Sequence, residues 1–229
     1  MILGKRIINT GAEEACLTDT TDIFGDSSGV ALYSLDYDAS DAGGLYDGTP
    51  TNVEFGVGGQ INYGARFNGS SSYVTFPDLD TLFGKKTDCS VSLWFKAGAQ
   101  SNDAEIFIDY SGSYNIEIKL KTNGTIAIGT YYGTNPASVG TTSGTYADNN
   151  WHHIVVANDI ATNTRKTYID NVEVLSNPLP SGTFSGYTNF FVGLGVLGAP
   201  TPIAGTYFNG QLDQVRIFSK ALSSDEVST

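Results

Sequence analysis

In Cys89-Ser-Val-Ser-Leu-Trp-Phe-Lys96 an apolar residue stands at every second position. Cys89, Val91, Leu93 and Phe95 therefore share one face, with Ser90, Ser92, Trp94 and Lys96 on the other. A period of two fits an extended chain with one face against a core, because a helix would scatter the same residues around its axis. The pattern returns in Tyr114-Asn-Ile-Glu-Ile-Lys-Leu-Lys121, where Tyr114, Ile116, Ile118 and Leu120 point one way. Asn123-Gly124 then predicts a hairpin into Ile126-Ala-Ile-Gly129. A second pair, Trp151–Ala157 and Arg165–Asp170, is joined by polar residues, and Asp170-Asn171 turns the chain into Val172–Leu175. Gly210–Phe218 is the last strand, and Ser223 three residues before Glu226 reads as the capping box of one terminal helical turn.

Short strands at this spacing predict an all-β, mostly antiparallel two-sheet sandwich. The chain has 229 residues, enough for one such domain of roughly 200–250 residues and too few for two. Residues 29–229 carry the strand pattern. Residues 1–28 lack sustained periodicity and read as an anchoring or packing segment.

The formal net charge is −12 with only twelve Lys plus Arg, which leaves too few cations to neutralise a phosphate backbone and argues against nucleic acid as a partner. The acidity concentrates in residues 1–60. Such a region can bind a hard cation or simply keep the surface soluble. No run approaches the ~20 apolar residues of a membrane span, and the start lacks the apolar stretch of a signal peptide. The expectation is synthesis in a cytoplasm, with another exit route if the protein acts outside. Cys16 and Cys89 could pair, but Cys89 opens an apolar strand face and fits a buried thiol.

Catalytic patterns are sparse. Glu105-Ile-Phe-Ile-Asp109 places two carboxylates on one face of a strand, but Phe107 stands between them and breaks the acid and nucleophile spacing of a glycosidase. Asp36 and Asp38 also alternate, at the start of a loop. His152 and His153 are adjacent on a strand and must face opposite ways, so they cannot share one metal. Sugar recognition would need an aromatic ring beside groups that read hydroxyls. Tyr110 and Tyr114, in Tyr110-Ser-Gly-Ser-Tyr114, and Tyr131, Tyr132 and Asn135, in Tyr131-Tyr132-Gly-Thr-Asn135, are the candidates, placed in expected loops; filling the sandwich or a subunit contact is the competing role of each tyrosine.

Four segments in order resemble the laminin-G-like, concanavalin A-like jelly-roll family: Gly29-Val-Ala-Leu-Tyr-Ser-Leu-Asp36; Ala65-Arg-Phe-Asn-Gly-Ser-Ser-Ser-Tyr-Val74; Asn150-Trp-His-His-Ile-Val-Val156 with Thr167-Tyr-Ile-Asp-Asn171; and Phe208-Asn-Gly-Gln-Leu-Asp-Gln-Val-Arg-Ile-Phe218. The resemblance implies a jelly-roll, and it implies a Ca²⁺ site at a rim, for which the chain offers Asp36, Asp38, Asp41, Asp47 and Asp213. Asp213 could instead pair with Arg216 or accept backbone N–H groups. Gly4-Lys-Arg-Ile-Ile-Asn-Thr-Gly-Ala and Phe24-Gly-Asp-Ser-Ser-Gly-Val-Ala-Leu-Tyr33 also resemble structural proteins of marine tailed bacteriophages. Together these resemblances imply a non-enzymatic, lectin-like module on a virion, whose partners are glycans or other virion proteins and which forms a homo-oligomer or part of a larger assembly. A purely structural virion protein is the first rival, and a glycoside hydrolase the second.

Overall fold

A computed structural model describes residues 20–77, 87–109, 116–132, 135–179, 190–193 and 205–228. Its first strands are β1 (Gly29–Tyr33), β2 (Thr49–Thr51), β3 (Glu54–Gly58), β4 (Tyr63–Asn68), β5 (Tyr73–Phe76), β6 (Cys89–Ala97), β7 (Ala104–Asp109) and β8 (Glu117–Leu120). There follow β9 (Ile126–Tyr132), β10 (Asn135–Thr141), β11 (Trp151–Asp159), β12 (Thr164–Ile169), β13 (Val172–Pro178), β14 (Phe190–Val192), β15 (Asn209–Phe218) and the helical turn α1 (Ser224–Val227). One sheet has eight strands in the order β13-β12-β11-β6-β15-β4-β3, with β1 also beside β15. The other has seven, in the order β10-β9-β8-β7-β14-β5-β2.

The alternation in the sequence is the alternation in space. Cys89, Val91, Leu93 and Phe95 from β6 and Ile116, Ile118 and Leu120 at β8 are all sealed in one core. Each such apolar side chain contributes about 1.5–3 kcal/mol on burial. Tyr33 and Phe76 pack with ring centroids 4.1 Å apart, and the Tyr33 hydroxyl donates to the Tyr46 carbonyl at 2.8 Å. Arg165 bridges the layers: its Nε donates to Asn158 Oδ1 at 2.7 Å and its Nη1 to the Gly129 carbonyl of the opposite sheet at 2.9 Å. Cys89 is a free, buried thiol, which burial pushes up to about 12. Cys16 lies outside the described residues.

The turns have the expected chemistry. Gly124 takes φ +84°, and Asn123 Oδ1 accepts the Thr125 N–H at 3.1 Å. Asp170 and Asn171 both have positive φ, the signature of a type I′ hairpin turn. Ser223 and Glu226 form the reciprocal capping box. Two sheet edges are blunted: β2 carries Pro50, and β3 is broken by a bulge at Phe55–Val57.

Residues 20–28 pack on the outer face of the eight-stranded sheet. Ile23 and Phe24 join Val155, Tyr168, Phe218, Leu222 and Val227 in a second apolar cluster. Phe24 lies 5.6 Å from the Phe218 ring and 4.0 Å below the Lys220 ammonium. Arg216 Nη1 donates to the Thr20 carbonyl at 2.8 Å.

Candidate ligand-binding rim

β15 changes neighbour halfway along its length. Residues Asn209–Leu212 pair with β4, whereas Val215–Phe218 pair with β1. The register against β6 slips between Asp213 and Arg216, and Gln214 takes φ +51°. Asp213 therefore sits where one flanking strand has ended and the other has not begun. Its side chain is fully buried. Oδ2 accepts the Ile61 N–H at 2.8 Å, while Oδ1 is buried without a hydrogen-bond partner. Gly59 makes the close approach possible, since a Cβ there would lie 2.7 Å from Asp213 Oδ2. Burial pushes the Asp213 carboxyl up to about 7; the Ile61 N–H opposes this, the Asp36 charge adds to it, and the backbone N–H groups of Gln60 and Gln214 also oppose it.

Asp36 reaches the same place from the end of β1. Its Oδ1 accepts the Tyr63 N–H at 3.3 Å and its carbonyl the Gly56 N–H at 2.8 Å. Leu35, just before it, is buried with φ +59°, which turns the chain out of the strand. Beside Asp36 the rings of Tyr37 and Tyr63 lie 5.3 Å apart at 46°. They are 69% and 43% exposed. This ring pair escaped the sequence reading. The available signal was a tyrosine flanked by Asp36 and Asp38 in a loop, where alternation gives it no core to face.

The other early carboxylates do different work. Asp41 is buried and organises its loop: Oδ1 accepts the Leu32 and Gly43 N–H groups at 3.0 and 3.1 Å, and Oδ2 those of Leu45 and Tyr46 at 3.2 and 3.3 Å. Asp47 Oδ1 accepts the Asp41 N–H at 2.9 Å. Asp38 is exposed, with Oδ1 on the Ser40 N–H at 2.9 Å. Of the side chains expected at a cation site, Asp36 and Asp213 are thus the two near enough for the charge of one to act on the other. Asp213 Oδ1 has no hydrogen bond of normal geometry, and either a proton or a hard cation would satisfy it. Among the described residues no group of three or more His, Cys, Asp or Glu side chains converges, so further oxygen ligands would be backbone carbonyls, uncharged side-chain oxygens or water.

Tyr110 and Tyr114 lie outside the described residues. Tyr131 and Tyr132 belong to β9 and Asn135 to β10, with Tyr132 opposite Asn135. They are strand residues where loops were expected, because the ladder between these two strands continues that far.

The Glu105–Asp109 alignment does not hold either. A bulge between Glu105 and Phe107 breaks the alternation. Glu105 lies across from Lys119, whose ammonium is 3.0 Å from both Glu105 Oε1 and Glu117 Oε1, while the charge of Asp109 acts on the core thiol of Cys89. Burial, and then the charge of Glu117, push Glu105 well above the ordinary carboxylate range against the pull of Lys119. Glu117 was missed because it stands on the next strand, at no fixed spacing in sequence. The histidines do face opposite ways. His152 ring nitrogens meet Asp170 at 2.7 Å and Asp148 at 3.1 Å. His153 Nε2 meets Ser92 Oγ at 2.7 Å under the Trp94 ring.

Two antiparallel sheets closed over one core, with a polar and aromatic rim at a strand crossover, define a lectin- or glucanase-like β-sandwich of the jelly-roll type. Residues 68–228 match the Laminin_G_3 family, described as the concanavalin A-like lectin/glucanases superfamily, and the chain belongs to it. No curated protein matches the chain. Among solved structures it is similar to domain 4 of AbnA, a GH43 extracellular arabinanase from Geobacillus stearothermophilus in complex with arabinotriose, with 26% identity and a TM-score of 0.65 over 86% of this chain and 95% of that one. The botulinum neurotoxin serotype D binding domain shares the fold at 16% identity and TM-score 0.63, over 87% of this chain and 50% of that one. Trypanosoma rangeli sialidase in complex with 2,3-difluorosialic acid does so at 17% and 0.64, over 87% of this chain and 32% of that one.

Proposed function

We propose that the protein is a non-catalytic glycan-recognition module displayed on a virion. The observation that carries the recognition reading is the rim where exposed Tyr37 and Tyr63 stand beside Asp36 and Asp213. Rings give a saccharide an apolar surface and the neighbouring acceptors hold its hydroxyls. The arabinotriose complex of the similar arabinanase domain supports a saccharide ligand. Virion display is supported by the phage-like segments at residues 4–12 and 24–33. Ca²⁺ is an accessory part of the proposal, with Asp36 and Asp213 as the side chains that would hold it and place the rim loops.

A glycan array probed with the whole chain, with and without chelator, tests this reading. Binding to a defined set of glycans is expected, weakened by chelator if the cation takes part. A blank array under both conditions refutes recognition and leaves the assembly role. Mass spectrometry of purified particles tests virion display, which absence of the chain from them refutes.

The hydrolase reading rests on one observation, the Glu105–Glu117 pair. It resembles an acid beside a second carboxylate, but both groups are buried and Lys119 lies between them. Release of reducing sugar that disappears in Glu105→Gln would establish it.

A further inference from the structure

We propose that the Tyr37–Tyr63 ring pair is the sugar-stacking platform of the rim, and that it selects neutral saccharides over sialylated or sulfated ones. This rests on the glycan-recognition reading and adds the site and the ligand class.

Among the described residues the large hydrophobic side chains left exposed are Tyr37, Leu45, Tyr63 and Val172. Two of these four are in ring contact, and Leu45 projects from the same β1–β2 connection as Tyr37. Isolated exposed apolar residues are ordinary, whereas an exposed aromatic pair held in place by its surroundings marks a contact surface. The pair is held. Asp36 accepts the Tyr63 N–H, the two rings pack on each other, and Asp41 fixes the loop that follows through four backbone N–H groups. Such rings lose little freedom when a ligand arrives, which is how a small surface gains affinity.

The occupant follows from the surroundings. A pyranose or furanose ring offers a C–H face that packs on a phenol ring and hydroxyls that donate to carboxylates. The charged groups beside the rings are Asp36, which holds the Tyr63 N–H, and Asp38, next to Tyr37 in sequence. Arg66, further along β4, is ion-paired to Glu54 at 3.7 Å. With −12 on the whole chain, an anionic ligand is repelled within a Debye length of about 8–10 Å, while a neutral sugar is not.

The test compares the wild type with Tyr37→Ala, Tyr63→Ala and the ring-preserving Tyr37→Phe on an array of neutral, sialylated and sulfated glycans, with melting temperature and sedimentation measured on each variant. The expected result is neutral hits in the wild type, about tenfold or greater weakening in each Ala variant, binding largely retained in Tyr37→Phe, and melting temperatures within a few degrees. Undiminished binding in both Ala variants overturns the platform but leaves glycan recognition standing. Sialylated or sulfated glycans as the best ligands overturn the selectivity. A wild type that dimerises through this patch, with Ala variants monomeric, overturns the saccharide occupant. A wild type blank on the whole array removes the underlying reading and this inference with it.

Discussion

Asp213 offers the sharpest test of how the rim is built. Its carboxyl is held at about 7 against an ordinary 3.8, and a gap of this size is worth about 4 kcal/mol at about 1.4 kcal/mol per pH unit. The sign follows from the direction of the shift. The unfolded chain gives up this proton near 3.8 while the folded one keeps it, so stability from the protonated group is complete at low pH. It is lost as pH rises through about 7. In Asp213→Asn the acceptor for the Ile61 N–H remains and the buried charge is gone. The new amide N–H groups find little to bond, at a cost of about 1–3 kcal/mol. In chelator, the variant should therefore exceed the wild type by about 1–3 kcal/mol near pH 8 and fall below it near pH 4.5. Urea denaturation at both values reads the crossing. Curves that stay parallel, or an Asn variant that is weaker near pH 8, would show that the carboxyl is not desolvated as described. Added Ca²⁺ should restore the wild type alone if the cation binds there.

Asp41→Ala leaves four backbone N–H groups without their acceptor. It should cost about 3–5 kcal/mol in urea denaturation, and a loss under about 1 kcal/mol would mean the loop is held by something else. His153 is buried and held down at about 4, chiefly by burial, so its neutral ring withholds a proton that the unfolded chain accepts near 6.5. About 3 kcal/mol should be lost as pH falls from the ordinary histidine value toward 4, a slope that His153→Gln should flatten, as chemical denaturation across that range can show. Gly129→Ala places a Cβ 1.9 Å from Glu117 Oε2. Expelling that carboxylate from Lys119 should lower stability by about 1–3 kcal/mol, and an unchanged melting temperature would contradict the packing.

The sandwich was legible because its signals are local. A period of two fixes which side of β6 meets the core, and Asn123-Gly124 and Asp170-Asn171 fix two reversals whatever lies elsewhere in the chain. The capping box of Ser223 and Glu226 is equally self-contained. The site was less legible because it depends on pairings remote in sequence. Asp36 and Asp213 approach only because β1 and β4 both flank β15. Glu105 meets Glu117 through a bulge that no periodicity announces, and the same bulge undid the expected alignment with Asp109. Tyr37 and Tyr63 carried no motif, and their contact is a product of the loop geometry.

One feature of the topology links the fold to the rim. An antiparallel strand flanked on one side by two successive partners must leave a gap where the first ends and the second begins. At that gap β15 exposes ladder positions to neither strand, and the chain fills it with a side chain and the Gly59–Asn62 turn. An apolar residue at position 213 would leave the Ile61 N–H unbonded inside the fold. A carboxylate satisfies it, and in doing so brings a charge to a buried place. That charge is costly unless a proton or a cation neutralises it, and the loop bearing Asp36 and Tyr37 meets the start of β4 at Tyr63 beside the same gap. The recognition surface proposed at this crossover would be coupled to the state of one buried carboxyl, so ligand affinity should move together with pH or cation concentration in the wild type and lose that dependence in Asp213→Asn.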